Sequence, residues 1–477
     1  MIPLAVADLA AVLGADLVGP GDPAALVTSI AADSRSIPPG ALFVALPGAR
    51  ADGHDFVPAA YAGGAAAALT RHPVPDALCL VVADPLVALG RLARHLVDRA
   101  APGGLRVVGI TGSQGKTSTK DLLSQVLESV GPTVAPAGNL NNELGVPLTV
   151  SRIEEHTRFL VAEMGARGIG HIAYLCDIAP PTVGVVLNVG YAHIGEFGGQ
   201  PAIAQAKGEL VEALPTDGTA VLNAADPLVW GMRERTAATV LAFSVEGTPP
   251  GPGVWASDLV ADPSGRYAFR LHAAGLPGAA DDDAEVSLKV PGRHQVGNAL
   301  AAATAALALG MDLPDVAAGL RRAGARSRWR MELHQRDDGV TVLNDAYNAN
   351  PDSMAAAVGT LAELSDDRRR RTWAVLGDML ELGDEAERAH TDLGALVATA
   401  GIDRLVAVGA FADPMAAAAR AGGLTDGAVR AFPDKAAAQA AVLAGLAPGD
   451  VVLVKASRGL ALDTVAEAIL AFGEAPA

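Results

Sequence analysis

Short apolar runs alternate with longer alanine-rich stretches along almost the whole chain. "ALFVALPG", "LCLVVADP", "RVVGIT", "RFLVAEMG", "TVGVVLNVG", "TAVLNAADP" and "TVLAFS" are each bounded by glycine, proline or a short polar residue. That pattern predicts buried strands, and the stretches between them predict helices. Regular alternation of the two predicts an α/β protein built on parallel sheets. "NALAAATAALALG" (Asn298–Gly310) is too short to cross a bilayer and reads as a buried helix.

Three blocks emerge. Residues 1–102 close at the proline-glycine linker "AAPGG" (Ala100–Gly104), residues 103–326 begin with "RVVGIT", and residues 327–477 carry "VTVLNDA", "TWAVLGDM", "RLVAVG", "VRAFP" and "DVVLVKAS". Near the end of the second block, "DPSGRYAFRLHAAGLPGAADDDAEVSLKVPG" predicts strands and turns before a helix from Gln295.

A net charge of −17 argues against nucleic acid as a partner, because phosphate neutralisation needs a basic surface. The one dense basic run, "RRRR" at Arg368–Arg371, reads as a solvated loop. Two distant cysteines, Cys79 and Cys176, predict neither a disulfide framework nor a metal site. The first residues have no basic start or small-residue cleavage site, and with so few cysteines a reducing cytoplasm without membrane insertion is expected. A monomer is expected as well.

Chemistry enters at "GITGSQGKTST". The strand "RVVGIT" runs into Gly112, Ser113, Gln114, Gly115, Lys116, Thr117 and Ser118. A helix follows, with Leu122, Leu123, Val126, Leu127 and Val130 on one face. Free N–H groups at a helix start attract phosphate, Lys116 can neutralise it, and the Thr117 hydroxyl can ligate Mg²⁺. The usual phosphate loop has its first glycine where Ile110 stands, so this one is shortened. A plain strand-to-helix turn with an incidental lysine is the competing reading. Glu163 ends one later strand, and Asn188 and then His193 follow another. Alone, each could be a cap or a surface group; beside a phosphate loop they are candidate ligands.

"TGSQGKTSTK" resembles the shortened phosphate loop of the Mur ligase superfamily, and the resemblance covers essentially the whole chain. It implies a three-domain architecture with a central P-loop-type ATPase domain and a Rossmann-like last domain. It further implies ATP and Mg²⁺ as cofactors, Thr117, Glu163 and His193 as metal ligands, and Lys207 of "AIAQAKGEL" as a carbamate-bearing metal ligand. Asn298, in "PGRHQVGNAL", matches an asparagine near the ATP base. Arg330, in "SRWRME", matches an arginine that reaches the γ-phosphate when the last domain closes.

"NDAYNANPDSM" (Asn344–Met354) is similar to the signature of the superfamily branch that adds D-alanyl-D-alanine. The resemblance assigns nucleotide contacts to Asp345 and Asn348 and substrate contacts to Tyr347 and Asn350. Asn344 departs from the acid often found there. "APAGNLNNELGVPLTV" matches the same branch and adds Asn139 and Asn142 as substrate contacts; "LVKASRG" adds Lys455, Ser457 and Arg458. "AADSRSIPPG" puts Ser34 and Arg35 where the superfamily holds a UDP diphosphate. The implied activity is ATP-dependent joining of D-alanyl-D-alanine to UDP-N-acetylmuramoyl-tripeptide through an acyl phosphate. A ligase for a different amino acid and a non-catalytic nucleotide-binding module remain the rivals.

Overall fold

The computed structural model describes residues 1–48, 51–191, 194–277, 280–365 and 369–472, so His193 and Arg368 lie outside the described residues. The chain forms three large sheets, one within each stretch of sequence. The first takes its strands in the order Asp16–Val18, Cys79–Val81, Ala67–Thr70, Ala41–Val44, Ser29–Ala31, parallel except for the first.

The second sheet has nine strands. Seven are parallel, the first six in the order Thr133–Val134, Phe159–Glu163, Arg106–Thr111, Val183–Val186, Thr219–Asn223, Thr239–Ser244. The chain leaves Arg106–Thr111 towards one neighbour and later returns on the other side. Strand order therefore reverses there, and a crevice opens at the carboxyl ends. Gly253–Ala261 continues the parallel run, but Arg266–Ala274 and Asp282–Pro291 extend it antiparallel. The strands and turns expected for this segment are thus antiparallel additions to the edge of a parallel sheet. A tight turn links the first of these pairs: the Asp262 carbonyl accepts from the Gly265 N–H at 2.9 Å, with Gly265 at φ +69°. In Arg266–Ala274 buried and outward residues alternate, as in a sheet covered on one face only.

The third sheet runs Glu332–Gln335, Thr341–Asn344, Val451–Lys455, Thr372–Gly377, Arg404–Val408, Val429–Phe432, with only the first strand antiparallel. Here "RRRR" is corrected. Arg371 donates to the Asp450 carboxylate at 3.0 and 2.7 Å, and Arg370 donates to the Gly339 and Gly449 carbonyls. Both tie strand ends together, which a freely solvated loop would not do.

The alanine tract becomes the helix His294–Ala308, buried nearly all round. Its small side chains let it lie close to the helix Lys116–Leu127, which buries Leu122, Leu123, Val126 and Leu127, each contributing about 2 kcal/mol. Val130 does not share that face. The helix ends at Leu127, and Val130 sits in the following turn, 36% exposed.

Candidate active site

The phosphate loop is held from both sides by its neighbouring strands. Gly115, the residue before the helix, has φ +81°, and a Cβ there would stand 2.4 Å from Asn298 Oδ1. Only glycine fits that turn. On one flank, the Asn188 side chain grips Gln114 twice: it accepts from the Gln114 N–H at 3.0 Å and donates to the Gln114 carbonyl at 3.2 Å. The Ser113 hydroxyl accepts from the Gly190 N–H at 2.9 Å.

On the other flank stands Glu163, 1% exposed. Its Oε2 accepts from the Thr117 hydroxyl at 3.0 Å and its Oε1 from Asn141 Nδ2 at 2.7 Å. Lys116 Nζ donates to the Gly112 carbonyl at 2.7 Å. Burial pushes the Lys116 ammonium below the usual lysine range, and the Glu163 carboxylate partly offsets that. A hydroxyl, a carboxylate and an ammonium thus meet at the helix start. Asn298 braces this unit from beneath, accepting from the Thr119 hydroxyl at 3.3 Å and donating to Gln295 Oε1 at 2.9 Å.

Lys207 is 5% exposed in the helix Gln200–Glu212. Burial first, and the Lys116 charge second, hold its amine well below the usual lysine range. Among the described residues no group of three or more histidine, cysteine or acidic side chains forms a ready metal cluster. Thr117 and Glu163 nevertheless supply adjacent hard oxygens, the donor type Mg²⁺ takes.

The last domain closes over this loop. Asn350 caps the helix Pro351–Glu363, accepting from the Ser353 N–H at 2.8 Å, and its amide points at the Ser113 carbonyl at 3.5 Å. Asp352 accepts from the Tyr191 N–H at 3.0 Å, and the Tyr347 hydroxyl donates to Asn139. The Arg330 guanidinium lies 4.2 Å over the Tyr347 ring, with its buried Nε unpaired.

Profiles of Mur ligase domains match this chain in three places: the catalytic domain at residues 26–94, the middle domain at 110–306 and the glutamate ligase domain at 329–458. UDP-N-acetylmuramoyl-tripeptide--D-alanyl-D-alanine ligase of Mycobacterium tuberculosis (strain ATCC 25618 / H37Rv) is 45% identical, over 99% of this chain and 98% of its own length. The chain belongs to the Mur ligase family. A crystal structure of MurF from Acinetobacter baumannii superposes on this Mur ligase with TM-score 0.86 at 32% identity, covering 98% of this chain and 99% of that one. MurF from Thermotoga maritima, solved in complex with ADP, gives TM-score 0.76 at 28% identity, covering 93% and 97%.

The structure of this Mur ligase distributes the other expected residues unevenly. Asp345 and Lys455 meet at adjacent strand ends, with Lys455 Nζ donating to Asp345 Oδ2 at 2.6 Å and to the Asn348 carbonyl at 2.8 Å. Lys455 is 1% exposed, so it fixes the turn instead of serving as an open donor, a correction to its expected role. Asn344 accepts from the Ala346 N–H at 3.3 Å, which gives it a local turn role. Ser457 accepts from the Leu380 N–H at 2.9 Å, and Arg458 donates to Asp463 at 2.6 Å while lying over Trp329. Asn348, Asn350, Ser457 and Arg458 all line one open cavity of about 190 Å³. Asn142 accepts from the Gly145 N–H at 2.8 Å and starts a helix.

Ser34 and Arg35 line a separate cavity of about 480 Å³ in the first domain, with Phe56. Arg35 pairs there with Asp33 at 2.7 Å, and this hydrogen bond lowers the Asp33 carboxyl to about 2. Asn141, which holds Glu163, is the site part the sequence pattern does not single out; the asparagine density of "NLNN" is visible, but only the fold shows which of its amides reaches the carboxylate. Asn188, a candidate ligand on sequence grounds, has its side chain occupied by the loop backbone at Gln114.

Proposed function

We propose that this Mur ligase joins D-alanyl-D-alanine to UDP-N-acetylmuramoyl-tripeptide at the expense of ATP. The observation that carries the reading is the buried Thr117–Glu163 pair beside Lys116 at a glycine-turned helix start. The name borne by the mycobacterial relative supplies the substrates. Residues 1–102 hold the UDP end, with Ser34 and Arg35 as donors, residues 103–326 hold ATP, and residues 327–477 bring the dipeptide.

The chemistry follows from placement. Gly112–Ser118 cradle the triphosphate, and Lys116 takes up charge as the γ-phosphoryl group passes to the tripeptide's terminal carboxylate. The resulting acyl phosphate has a good leaving group, and the dipeptide's free amine attacks it; phosphate departs. Thr117, Glu163 and His193 would hold Mg²⁺, which supplies charge neutralisation when bound. His193 lies outside the described residues. Lys207 is the residue to which the family resemblance gives a carbamate, and its burial, which disfavours the charged amine, favours the form that reacts with CO₂. Arg330, beside Tyr347, adds positive charge as the last domain closes, and closure excludes water from the acyl phosphate. Asp345, Asn348, Asn298, Tyr347, Asn350, Ser457 and Arg458 shape the nucleotide and dipeptide sides.

No helix among the described residues is long and apolar enough to cross a membrane. The test is direct: incubate the protein with UDP-N-acetylmuramoyl-tripeptide, ATP, Mg²⁺ and D-alanyl-D-alanine, and detect the pentapeptide by mass spectrometry. Phosphate release driven by a single amino acid and not by the dipeptide would establish the rival ligase. Nucleotide binding without any product would leave only a binding module.

A further inference from the structure

The helix Gln200–Glu212 carries Lys207, and the turn that presents it is gripped from outside. Arg235 ends a short helical turn, Met232–Arg235, ahead of the strand Thr239–Ser244. Its Nη1 donates to the Ala204 carbonyl at 3.2 Å and its Nη2 to the Gln205 carbonyl at 2.9 Å. Nε donates to Glu212 Oε1 at 2.9 Å. All three acceptors belong to the Lys207 helix, two before that residue and one after it. A planar guanidinium can span two neighbouring carbonyls in this way, whereas a lysine ammonium is a single point of charge.

Gly208 makes the grip possible. A Cβ there would stand 1.9 Å from Arg235 Nη1 and 2.1 Å from its Cζ, so the guanidinium occupies the space any side chain would fill. Gly208 lies inside the helix without a positive φ, and glycine is disfavoured in such a place. Room for Arg235 is therefore what calls for it. The next residue ties down another side of the turn. Glu209, 6% exposed, accepts from the Gly170 N–H at 2.5 Å and the Ala173 N–H at 2.9 Å, at the start of the helix His171–Ile178. Gly170 and Ala173 belong to the segment that leaves the Glu163 strand, Phe159–Glu163. The Lys207 turn is thus held by Arg235 on one face and by the chain beyond Glu163 on another.

We infer that Arg235 is a positioning residue for the reaction: it docks on the bare backbone at Gly208 and sets the turn that aims Lys207 at the centre formed by Lys116 and Glu163. The inference rests on the proposed function, in which Lys207 becomes a carbamate. That step joins the neutral amine nitrogen to the carbon of CO₂ and releases one proton to solvent. Arg235 takes no part in the new bond. It acts through the helix, because a long side chain ends in a fixed place only when its own backbone is fixed.

The parent is compared with Arg235→Ala, Gly208→Ala and the double variant. Each is measured for pentapeptide formation against Mg²⁺ and bicarbonate concentration, for melting temperature, and for the ¹³C resonance of a carbamate in labelled bicarbonate, with Lys207→Met as the blank. Arg235→Ala should lower kcat about tenfold or more, the scale of a small misalignment, and weaken the carbamate signal, with KM for UDP-muramoyl-tripeptide unchanged. Guanidinium ions should restore it, and Arg235→Lys should not. Gly208→Ala should lose activity likewise, because its Cβ displaces the guanidinium. In the double variant nothing clashes and alanine favours the helix, so the melting temperature should return to that of the parent while activity and carbamate stay low. A double variant as active as the parent would show that Arg235 merely packs the helix, and the inference would fall. Pentapeptide made by a parent with no Lys207 carbamate would also overturn it and leave the ligase standing. A carbamate that depends on Arg235 in a protein making no pentapeptide would sink the ligase reading and keep the positioning role.

Discussion

At the scale of single residues, the site depends on who satisfies whom in a buried place. Glu163 has both oxygens occupied, by Thr117 and Asn141. Asn141→Ala would leave one oxygen of a buried carboxylate unpaired, at about 1–3 kcal/mol. The expected result is a lower melting temperature together with a raised Mg²⁺ requirement, read by denaturation and by activity against metal concentration. Lys116 contributes at the moment of transfer. Lys116→Ala should lower kcat by about a thousandfold, the scale of losing one preorganised charge partner, with circular dichroism unchanged. A variant with full activity would remove the loop from the mechanism.

Lys207 makes the pH argument. Burial and Lys116 depress its folded-state pKa, whereas in the unfolded chain it is about 10.4. Between those two values the unfolded chain binds a proton that the folded chain does not, so this residue lowers stability as pH falls through that window. Lys207→Met should therefore be more stable than the parent near neutral pH in CO₂-free buffer, with the gap closing towards the unfolded pKa. The same variant should lose activity, and in the parent activity should rise with added bicarbonate.

At the scale of elements, the strand Arg106–Thr111, the glycine turn and the helix Lys116–Leu127 form one rigid unit. Gly115→Ala tests it. The new Cβ meets the Asn298 side chain at 2.4 Å in a left-handed backbone, so the helix start must shift. Strain of about 1–3 kcal/mol should appear in the melting curve, and ATP affinity should fall more steeply than the stability loss alone would give. The motif order made this unit legible from sequence, because strand, glycine, lysine, threonine and helix are contiguous. The tie from Asn188 to Gln114 was not, since it joins loops that follow separate strands.

At the scale of the molecule, closure is anchored where the second and third domains meet. Lys120 is buried and donates to Asp121, to the Pro136 carbonyl and to the Ser327 hydroxyl, the last two at 3.0 and 3.1 Å. Asp121 in turn accepts from the Ser327 N–H at 2.9 Å. The start of the last domain is thereby pinned to the phosphate-loop helix, and Tyr347, Asn350 and Asp352 complete the contact farther out. Tyr347→Phe removes the hydroxyl that reaches Asn139. It should loosen closure and let water reach the acyl phosphate, so that phosphate released per pentapeptide formed rises above one. A ratio that stays at one would show that this bond has no part in sealing the site.

Local patterning determined the α/β alternation, the buried alanine helix and the phosphate loop, because each is encoded in contiguous residues whose spacing sets their conformation. It also placed Glu163 at a strand end. The tertiary structure alone decided that Asn141 and not Asn142 meets Glu163, that Lys455 is sealed against Asp345, and that Arg370 and Arg371 bind strand ends. Those outcomes depend on which strands lie side by side and how deeply each charge is buried, and neither is fixed by neighbours along the chain.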